Sequence, residues 1–266
     1  MPSIWCVDEE QNVRDSLPQR GSSYRMNSMK VLLVIPSYNE EKNIKTVYDS
    51  ICASNAENAF GYQHIFINDG SQDNTEQELE KCGANYITLV ENLGIGGAVQ
   101  TGYKYAYENG YDIAVQMDGD GQHDVRFVQN IIDPLLNNEA DLVIGSRFIK
   151  GSSSEFKSSF FRRIGIKIIS LVIKMKTGKK IFDTTSGFRA INRKMLKAFS
   201  HDYPTEYPEP ISSTVALKSG FRIKEIPVAM HERVEGVSSI RAWKSLYYMV
   251  NVILSIAFLR APRRKR

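Results

Sequence analysis

Three aspartates lie close together after an apolar run in the sequence AVQMDGDGQHD (114–124), and glycines alternate with them. Their charges repel, so a cation is expected between Asp118 and Asp120. Mg²⁺ typically takes one or two protein carboxylates and fills its other positions with water and phosphate oxygens. Gly119 would let a phosphate approach the backbone. The pattern predicts a Mg²⁺ or Mn²⁺ site that holds a diphosphate, with a solvated acidic turn as the alternative; Asp124 is predicted to cap the next helix.

Two further acidic loops each follow an apolar run. The first, IPSYNEEKNI (35–44), contains Pro36, Tyr38 and Glu40, and the second, NDGSQDNT (68–75), contains Asp69. Turn formation and helix capping explain each loop separately. Three acidic loops on one edge of a sheet predict a binding site.

The loops are placed by an alternation of short β-rich runs and helical stretches. Such βαβ units predict an α/β fold with a mainly parallel sheet, covered by helices on both faces. Right-handed crossovers then bring the loops after the strands to one edge, where α/β folds bind ligands. The predicted strands are Val31–Ile35, His64–Asn68, Tyr86–Val90, Ile113–Met117 and Leu142–Gly145. The predicted helices are Glu41–Ala53, Asn74–Cys82, Gly97–Asn109 and Val125–Asn137.

The last part of the chain has two strongly apolar helical stretches, Phe160–Met175 and Ala242–Leu259. Burial within the protein explains both, and contact with a membrane surface is the alternative. The apolar part of the second is roughly 21 Å long, shorter than a bilayer core of about 30 Å. With the basic residues 260–266, it is predicted to lie on a membrane or to dock on an integral membrane partner.

Composition limits the remaining possibilities. The net charge is +4, concentrated in the C-terminal tail, and no nucleic-acid partner is expected. Three cysteines without metal spacing suit a reducing cytosol. Residues 1–28 lack the apolar core of a signal peptide. We expect a poorly ordered leader at 1–28, one domain at 29–240, and an apolar helix with a basic tail at 241–266.

These motifs resemble family 2 glycosyltransferases, which have the GT-A, Rossmann-like fold. The family order is kept by VIPSYNE, INDGSQDNT, NLGIGGAVQTG, VQMDGDGQHD, GSRF, DTTSGFRAINR and GFRIKEIPV. The chain is most similar to the dolichyl- and polyprenyl-phosphate sugar synthases and to bacterial cell-surface polysaccharide transferases. The resemblance implies a nucleotide-sugar donor site and a metal site. The donor residues would be Pro36, Tyr38, Glu40, Ile67, Asp69, Asp118, Gly119, Asp120, Arg147 and Arg233, and the metal ligands Asp118, Asp120 and Gln122.

The resemblance also implies an inverting, metal-dependent transfer to a lipid-linked or polysaccharide acceptor, at the inner face of the plasma membrane. A hydroxyl acceptor would need a general base, whereas a lipid phosphate would not. Glu209 is the first candidate base and Asp183 the second, although Asp183 could instead order a loop. His123 is predicted to hydrogen-bond within its loop rather than to ligate the metal. Asn68 replaces an acid of the family pattern, which leaves the acceptor open.

Other classes fit the sequence less well. An NAD-type oxidoreductase is suggested by NLGIGGAVQTG, but Val99 stands where the third glycine belongs, and the run follows the third strand. A sugar nucleotidyltransferase would carry a basic, glycine-rich loop after its first strand, and here that loop is acidic. A non-catalytic docking subunit would not need three acidic loops.

Overall fold

The structure is a computed structural model, which describes residues 29–57, 61–152, 160–230 and 242–259. Its strands are β1 (Val31–Ser37), β2 (Gln63–Asn68), β3 (Tyr86–Thr88), β4 (Ile113–Gln116), β5 (Leu142–Ser146), β6 (Arg189–Asn192) and β7 (Ile223–Pro227). Its helices are α1 (Ile44–Glu57), α2 (Thr75–Cys82), α3 (Gly94–Glu108), α4 (Val128–Leu136), α5 (Phe160–Thr177), α6 (Arg193–His201), α7 (Pro208–Lys218) and α8 (Ala242–Phe258).

The strands form a seven-stranded sheet in the order β3-β2-β1-β4-β6-β5-β7. β6 runs antiparallel to β4 and β5, and the other pairings are parallel. The prediction of a mainly parallel α/β sheet is therefore confirmed. The sequence prediction omitted β6 and β7: β6 has four residues, and β7 interrupts its apolar residues with Lys224 and Glu225.

Helices cover both faces of the sheet. β1 is buried along its whole length, as expected for a central strand covered on two sides. One hydrophobic cluster joins the sheet to α1 and α4. A second joins its other face to α3, α6, α5 and α8. This three-layer packing holds the loops at the carboxyl ends of β1, β2 and β4 in fixed positions.

Helix boundaries differ from the predictions where turns or glycines intervene. α1 begins at Ile44 instead of Glu41, because a turn precedes it in which the Asn43 N–H donates to the Glu40 carbonyl at 2.9 Å. α3 begins earlier than predicted, at Gly94. The region from Val125 starts as a short 3₁₀ turn before α4. Asp124 accepts a hydrogen bond from the Arg126 backbone N–H at 2.9 Å, which confirms the predicted cap.

The C-terminal helix packs onto the domain. A side chain at Gly165 in α5 would clash with Met249 of α8, so the two helices approach closely there. Asn251 Nδ2 donates to the Tyr207 hydroxyl at 3.3 Å, which ties α8 to the segment before α7. In the described ranges, no helix combines the length and the apolar character needed to cross a bilayer. The predicted leader at 1–28 lies outside the described residues.

Candidate active site

The loops after β1 and β2 are tied together at the carboxyl edge of the sheet. The Asn39 N–H donates to Ser71 Oγ at 3.0 Å, and the Gln72 N–H donates to Asn39 Oδ1 at 2.8 Å. Asn39 has a φ of 55°, a left-handed conformation that asparagine tolerates better than most residues. Asn74 donates to Glu41 from both its backbone and its side chain, at 3.0 Å each. The predicted acidic loops thus form one rigid rim.

The predicted donor residues of this rim differ in their accessibility. Tyr38 is 43% exposed, and its ring is open to a ligand. Glu40 is half-buried and accepts a hydrogen bond from Asn43 Nδ2 at 2.6 Å. Pro36 is buried, and Ile67 is fully buried in the hydrophobic cluster on the α3 face. Contact of the Ile67 side chain with a donor base would therefore require this packing to open.

Asp69 holds two segments of the edge together. Its backbone N–H donates to the Ser37 carbonyl at 2.9 Å, and its Oδ1 accepts from the Leu93 N–H at 2.8 Å. Burial raises the pKa of this carboxyl. The backbone hydrogen bonds from Leu93 and Gly94 lower the pKa, but by less, so the net shift is upward. Asp69 thereby anchors the start of α3, which the sequence analysis did not predict.

The loop after β4 carries Asp118, Asp120 and Gln122. The Asp118 side chain is 34% exposed, whereas Asp120 and Gln122 are buried. Asp120 Oδ1 accepts the Gln122 backbone N–H at 3.1 Å. A Cβ at Gly119 would lie 2.6 Å from Ser37 Oγ, so glycine allows this loop to pack against the end of β1.

Within the described residues, no three His, Cys, Asp or Glu side chains form a metal cluster. The two carboxylates and one amide suit Mg²⁺ or Mn²⁺, which also take water and phosphate oxygens as ligands. The chemistry of the residues present therefore fits a divalent cation whose ligand set is completed by substrate.

His123 is a buried histidine that orders the loop. Its Nδ1 accepts the Asp118 backbone N–H at 2.9 Å, which places the proton of the neutral ring on Nε2, 3.7 Å from Asp118 Oδ2. The ring stacks on Phe188 with centroids 5.0 Å apart. Burial lowers the pKa of His123 to about 4. These contacts favour the predicted hydrogen-bonding role over metal ligation.

Arg147 and Asp183 form a buried ion pair beside this loop. Arg147 Nε and Nη2 donate to the two Asp183 oxygens at 2.7 and 2.8 Å, and the Arg147 N–H donates to Oδ2 at 3.0 Å. Burial raises the pKa of Asp183, but the hydrogen bonds and charge of Arg147 outweigh it and lower the pKa overall. A carboxylate held ionised in this way suits the loop-ordering role, and the predicted base role for Asp183 is disfavoured.

Glu209 has the properties expected of an acid–base group. It lies in the first turn of α7, after Tyr207 in the left-handed conformation and Pro208 at the helix start. Burial raises the pKa of its carboxyl and the Asp118 charge adds to this, whereas Arg189, its own backbone N–H and Arg147 lower the pKa. The net shift is upward, which makes this carboxylate a stronger base than an exposed glutamate.

Two residues that sequence reasoning missed complete the edge. Arg189 is buried at the start of β6, and Glu225 in β7 accepts the backbone N–H groups of Phe182 and Asp183 at 2.8 Å each. In the sequence, the only sign of a buried arginine was that Arg189 directly precedes the apolar residues of β6. Arg233, a predicted phosphate ligand, lies outside the described residues.

The glycine run of NLGIGGAVQTG serves packing. A Cβ at Gly96 would lie 2.4 Å from the Thr205 carbonyl oxygen, and one at Gly102 would lie 2.1 Å from Val34 Cγ1. These glycines let α3 approach β1 and the segment before α7. The run thus has a structural explanation that does not involve a dinucleotide.

The strand order and the acidic carboxyl edge define the class as a GT-A-type domain, which confirms the predicted fold. A solved structure of similar fold is glucosyl-3-phosphoglycerate synthase from Mycobacterium tuberculosis, in complex with Mn²⁺, UDP-glucose and phosphoglyceric acid. The TM-score is 0.66 at 19% identity, and the match covers 94% of this chain and 88% of that one.

Residues 32–199 match Glycosyl transferase family 2, and the chain belongs to that family. It is a glycosyltransferase, as the motifs predicted. A UDP-N-acetylglucosamine–dolichyl-phosphate N-acetylglucosaminyltransferase from Methanococcus voltae is 34% identical over 74% of this chain and 84% of its own length. A polyprenol monophosphomannose synthase from Mycolicibacterium smegmatis is 28% identical over 80% of this chain and 82% of its own length. The resemblance to the dolichyl- and polyprenyl-phosphate branch is confirmed.

Proposed function

We propose that this glycosyltransferase moves a sugar from a nucleoside-diphosphate donor to a lipid-linked acceptor, with inversion at the transferred carbon. The observation that carries the proposal is the loop after β4, in which Asp118, Asp120 and Gln122 follow one another at the carboxyl edge of the sheet. The names of the two relatives support a polyprenyl-phosphate acceptor. A polysaccharide acceptor for cell-surface glycan synthesis is the second candidate.

Asp118, Asp120 and Gln122 would hold Mg²⁺ or Mn²⁺, which when bound supplies Lewis-acid stabilisation of the departing diphosphate. The rim formed by the loops after β1 and β2 would bind the nucleoside, with Tyr38 as its exposed ring. His123 orients Asp118 through the backbone N–H. Arg147 contributes a fixed positive charge beside the loop, held by Asp183.

The role of Glu209 depends on the acceptor. If the acceptor is a hydroxyl group, the Glu209 carboxylate would take its proton as the oxygen attacks the sugar carbon. A phosphate acceptor is already anionic, and Glu209 would then orient it or the sugar instead. The raised pKa of the half-buried Glu209 carboxyl supports the first role.

A donor and acceptor assay tests the proposal. The protein is incubated with a panel of nucleotide sugars and Mn²⁺, with a polyprenyl phosphate in detergent or a soluble oligosaccharide, and nucleoside diphosphate release is followed. We expect one donor to be consumed, with a rate that the lipid phosphate raises and that EDTA abolishes. Nucleoside diphosphate release at the same rate in EDTA would contradict the proposed metal dependence. Stimulation by the oligosaccharide but not by the lipid phosphate would favour the polysaccharide acceptor.

We also propose that the protein is cytoplasmic and binds peripherally to the inner face of the plasma membrane. Support comes from exposed apolar residues on α5 and α8, called here the apolar face. Its members are Ile164, Ile168, Leu171, Met175, Val250, Leu254 and Phe258. Neither helix contains an acidic residue, and Arg163, Lys167 and Lys174 are exposed on α5. Apolar residues beside cations suit a surface of anionic lipids.

Charge introduced into the apolar face is expected to release the protein from vesicles. Leu171→Glu combined with Phe258→Glu places two anions where lipid would be, and should lower partitioning onto phosphatidylglycerol-containing vesicles by about tenfold or more. Co-sedimentation measures the bound fraction. Val90→Glu is the matched control, because Val90 is an exposed apolar residue outside this face. Unchanged binding of the double variant would contradict the proposal.

A further inference from the structure

Arg189 is among the most deeply buried polar residues in the described chain, with 1% of its surface exposed. It begins β6 and pairs in register with Gln116 at the end of β4, two residues before Asp118. An arginine keeps its charge under all physiological conditions, and burying that charge is costly. The groups that the Arg189 guanidinium contacts must therefore compensate for this cost.

The hydrogen bonds of Arg189 lead to the first turn of α7. Its Nε donates to the Ser186 carbonyl at 2.7 Å, and its Nη1 donates to Ser212 Oγ at 3.0 Å and to Ser213 Oγ at 3.2 Å. Both serine hydroxyls donate onward to the Glu209 carbonyl, at 3.2 and 2.8 Å. Arg189 is thus connected to the backbone of Glu209 through two parallel relays.

The same turn is held from the other side by α3. The carbonyls of Pro204 and Thr205 lie against Gly96, where even a Cβ would come within 2.4 Å. Tyr207 has a φ of 49°, so the chain turns sharply into α7. The segment that carries Glu209 is therefore clamped between the start of α3 and the guanidinium of Arg189.

We infer that Arg189 is a positioning residue, which fixes the first turn of α7 and with it the backbone from which the Glu209 side chain extends. This inference rests on the proposed role of Glu209. Chains of hydrogen bonds polarise one another, so the charged donor strengthens both serine relays. Small displacements of a reacting group are costly in rate, which gives the clamp a catalytic consequence.

Steady-state kinetics with substitutions of Arg189 test the inference. Arg189→Met should lower kcat by about tenfold or more while the donor KM changes by less than about twofold, because displacement of Glu209 affects the transition state rather than donor binding. Arg189→Lys should recover only part of the rate, since the single nitrogen of lysine cannot donate both to the Ser186 carbonyl and to the two serine hydroxyls in the geometry of the planar guanidinium. An equal loss in donor affinity would assign Arg189 to the donor site and overturn the inference.

A double-mutant cycle with Glu209→Gln separates the positioning role from a general loss of fold. If Arg189 acts through Glu209, Arg189→Met should have little further effect on kcat in the Glu209→Gln background. A full additional loss there would overturn the inference. If Glu209→Gln alone leaves kcat unchanged, the proposed role of Glu209 is wrong. Hydrogen exchange then tests whether Arg189 still fixes the first turn of α7.

Hydrogen exchange of the backbone amides of Glu209 and of residues 211–214 gives a readout that needs no activity. Arg189→Met, or Ser212→Ala with Ser213→Ala if the former does not fold, should raise exchange in this turn by about tenfold and leave α1 unchanged. Thr214→Val is the matched control, because its hydroxyl bonds to the Pro210 carbonyl at 2.8 Å in the same turn without contacting Arg189. Exchange equal to that of the control would overturn the inference.

Discussion

Asp120→Ala is expected to lower metal-dependent donor turnover by about 100-fold or more, because Lewis-acid stabilisation of a leaving diphosphate is worth several kcal/mol. Asp120 is 3% exposed, and its Oδ1 already accepts the Gln122 N–H, so its removal also loosens a second proposed ligand. Nucleoside diphosphate release measures the rate, and Mn²⁺ binding followed by electron paramagnetic resonance gives a reading that does not depend on turnover.

Asp124→Ala is the matched control for this substitution. Asp124 lies in the same loop but caps the following 3₁₀ turn and pairs with Arg126 at 2.6 Å. Its loss should cost about 1 kcal/mol of stability, as for other helix caps, with turnover nearly retained. Full activity and full Mn²⁺ affinity in Asp120→Ala would remove the proposed metal role from this loop.

Asp183→Ala is expected to have the largest effect on stability, about 3–5 kcal/mol, since it leaves the Arg147 guanidinium buried without its partner. Asp183 is fully buried and accepts from both Arg147 side-chain nitrogens and from the Arg147 backbone. Urea unfolding measures the change as a lower midpoint. Asp183→Leu combined with Arg147→Met is the control, because an apolar pair of similar size avoids the unpaired charge.

The ion pair also predicts how stability depends on pH. The pKa of Asp183 is lowered in the folded protein, so the pair stabilises fully above the unfolded value of about 4 and loses this contribution as pH falls below it. Acid should therefore destabilise the parent protein more steeply than Asp183→Asn. If the stability of the two proteins falls equally with decreasing pH, the ionisation of Asp183 does not contribute to the pH dependence of stability.

Much of the donor half of the fold was predictable from sequence because its signals are local. Continuous apolar strands such as β1 are buried on both faces, and the acidic loops follow directly after them. Asp124 could be assigned as a cap from the position of Val125 alone. Where residue type, spacing and burial agree, sequence reasoning places the element and the edge on which its loop lies.

The second half was less predictable because its organisation depends on contacts between distant residues. Asp183 and Arg147 are 36 residues apart, and only folding shows that they neutralise each other. Arg189 reaches Ser212 across 23 residues, and neither has a motif that suggests a relay. The short β6 and the mixed β7 lack the apolar periodicity that identified the other strands.

Because β6 runs antiparallel to its neighbours, the segment between β5 and β6 begins and ends at the same edge of the sheet. The chain leaves the carboxyl edge at the end of β5 and comes back to the same edge at the start of β6, with α5 within that excursion. Such a stretch can be lengthened or exchanged without rethreading β1, β2 and β4. Evolution can therefore vary α5, and with it part of the apolar face, by replacing one continuous segment between Arg147 and Asp183, while the loops after β1, β2 and β4 stay unchanged.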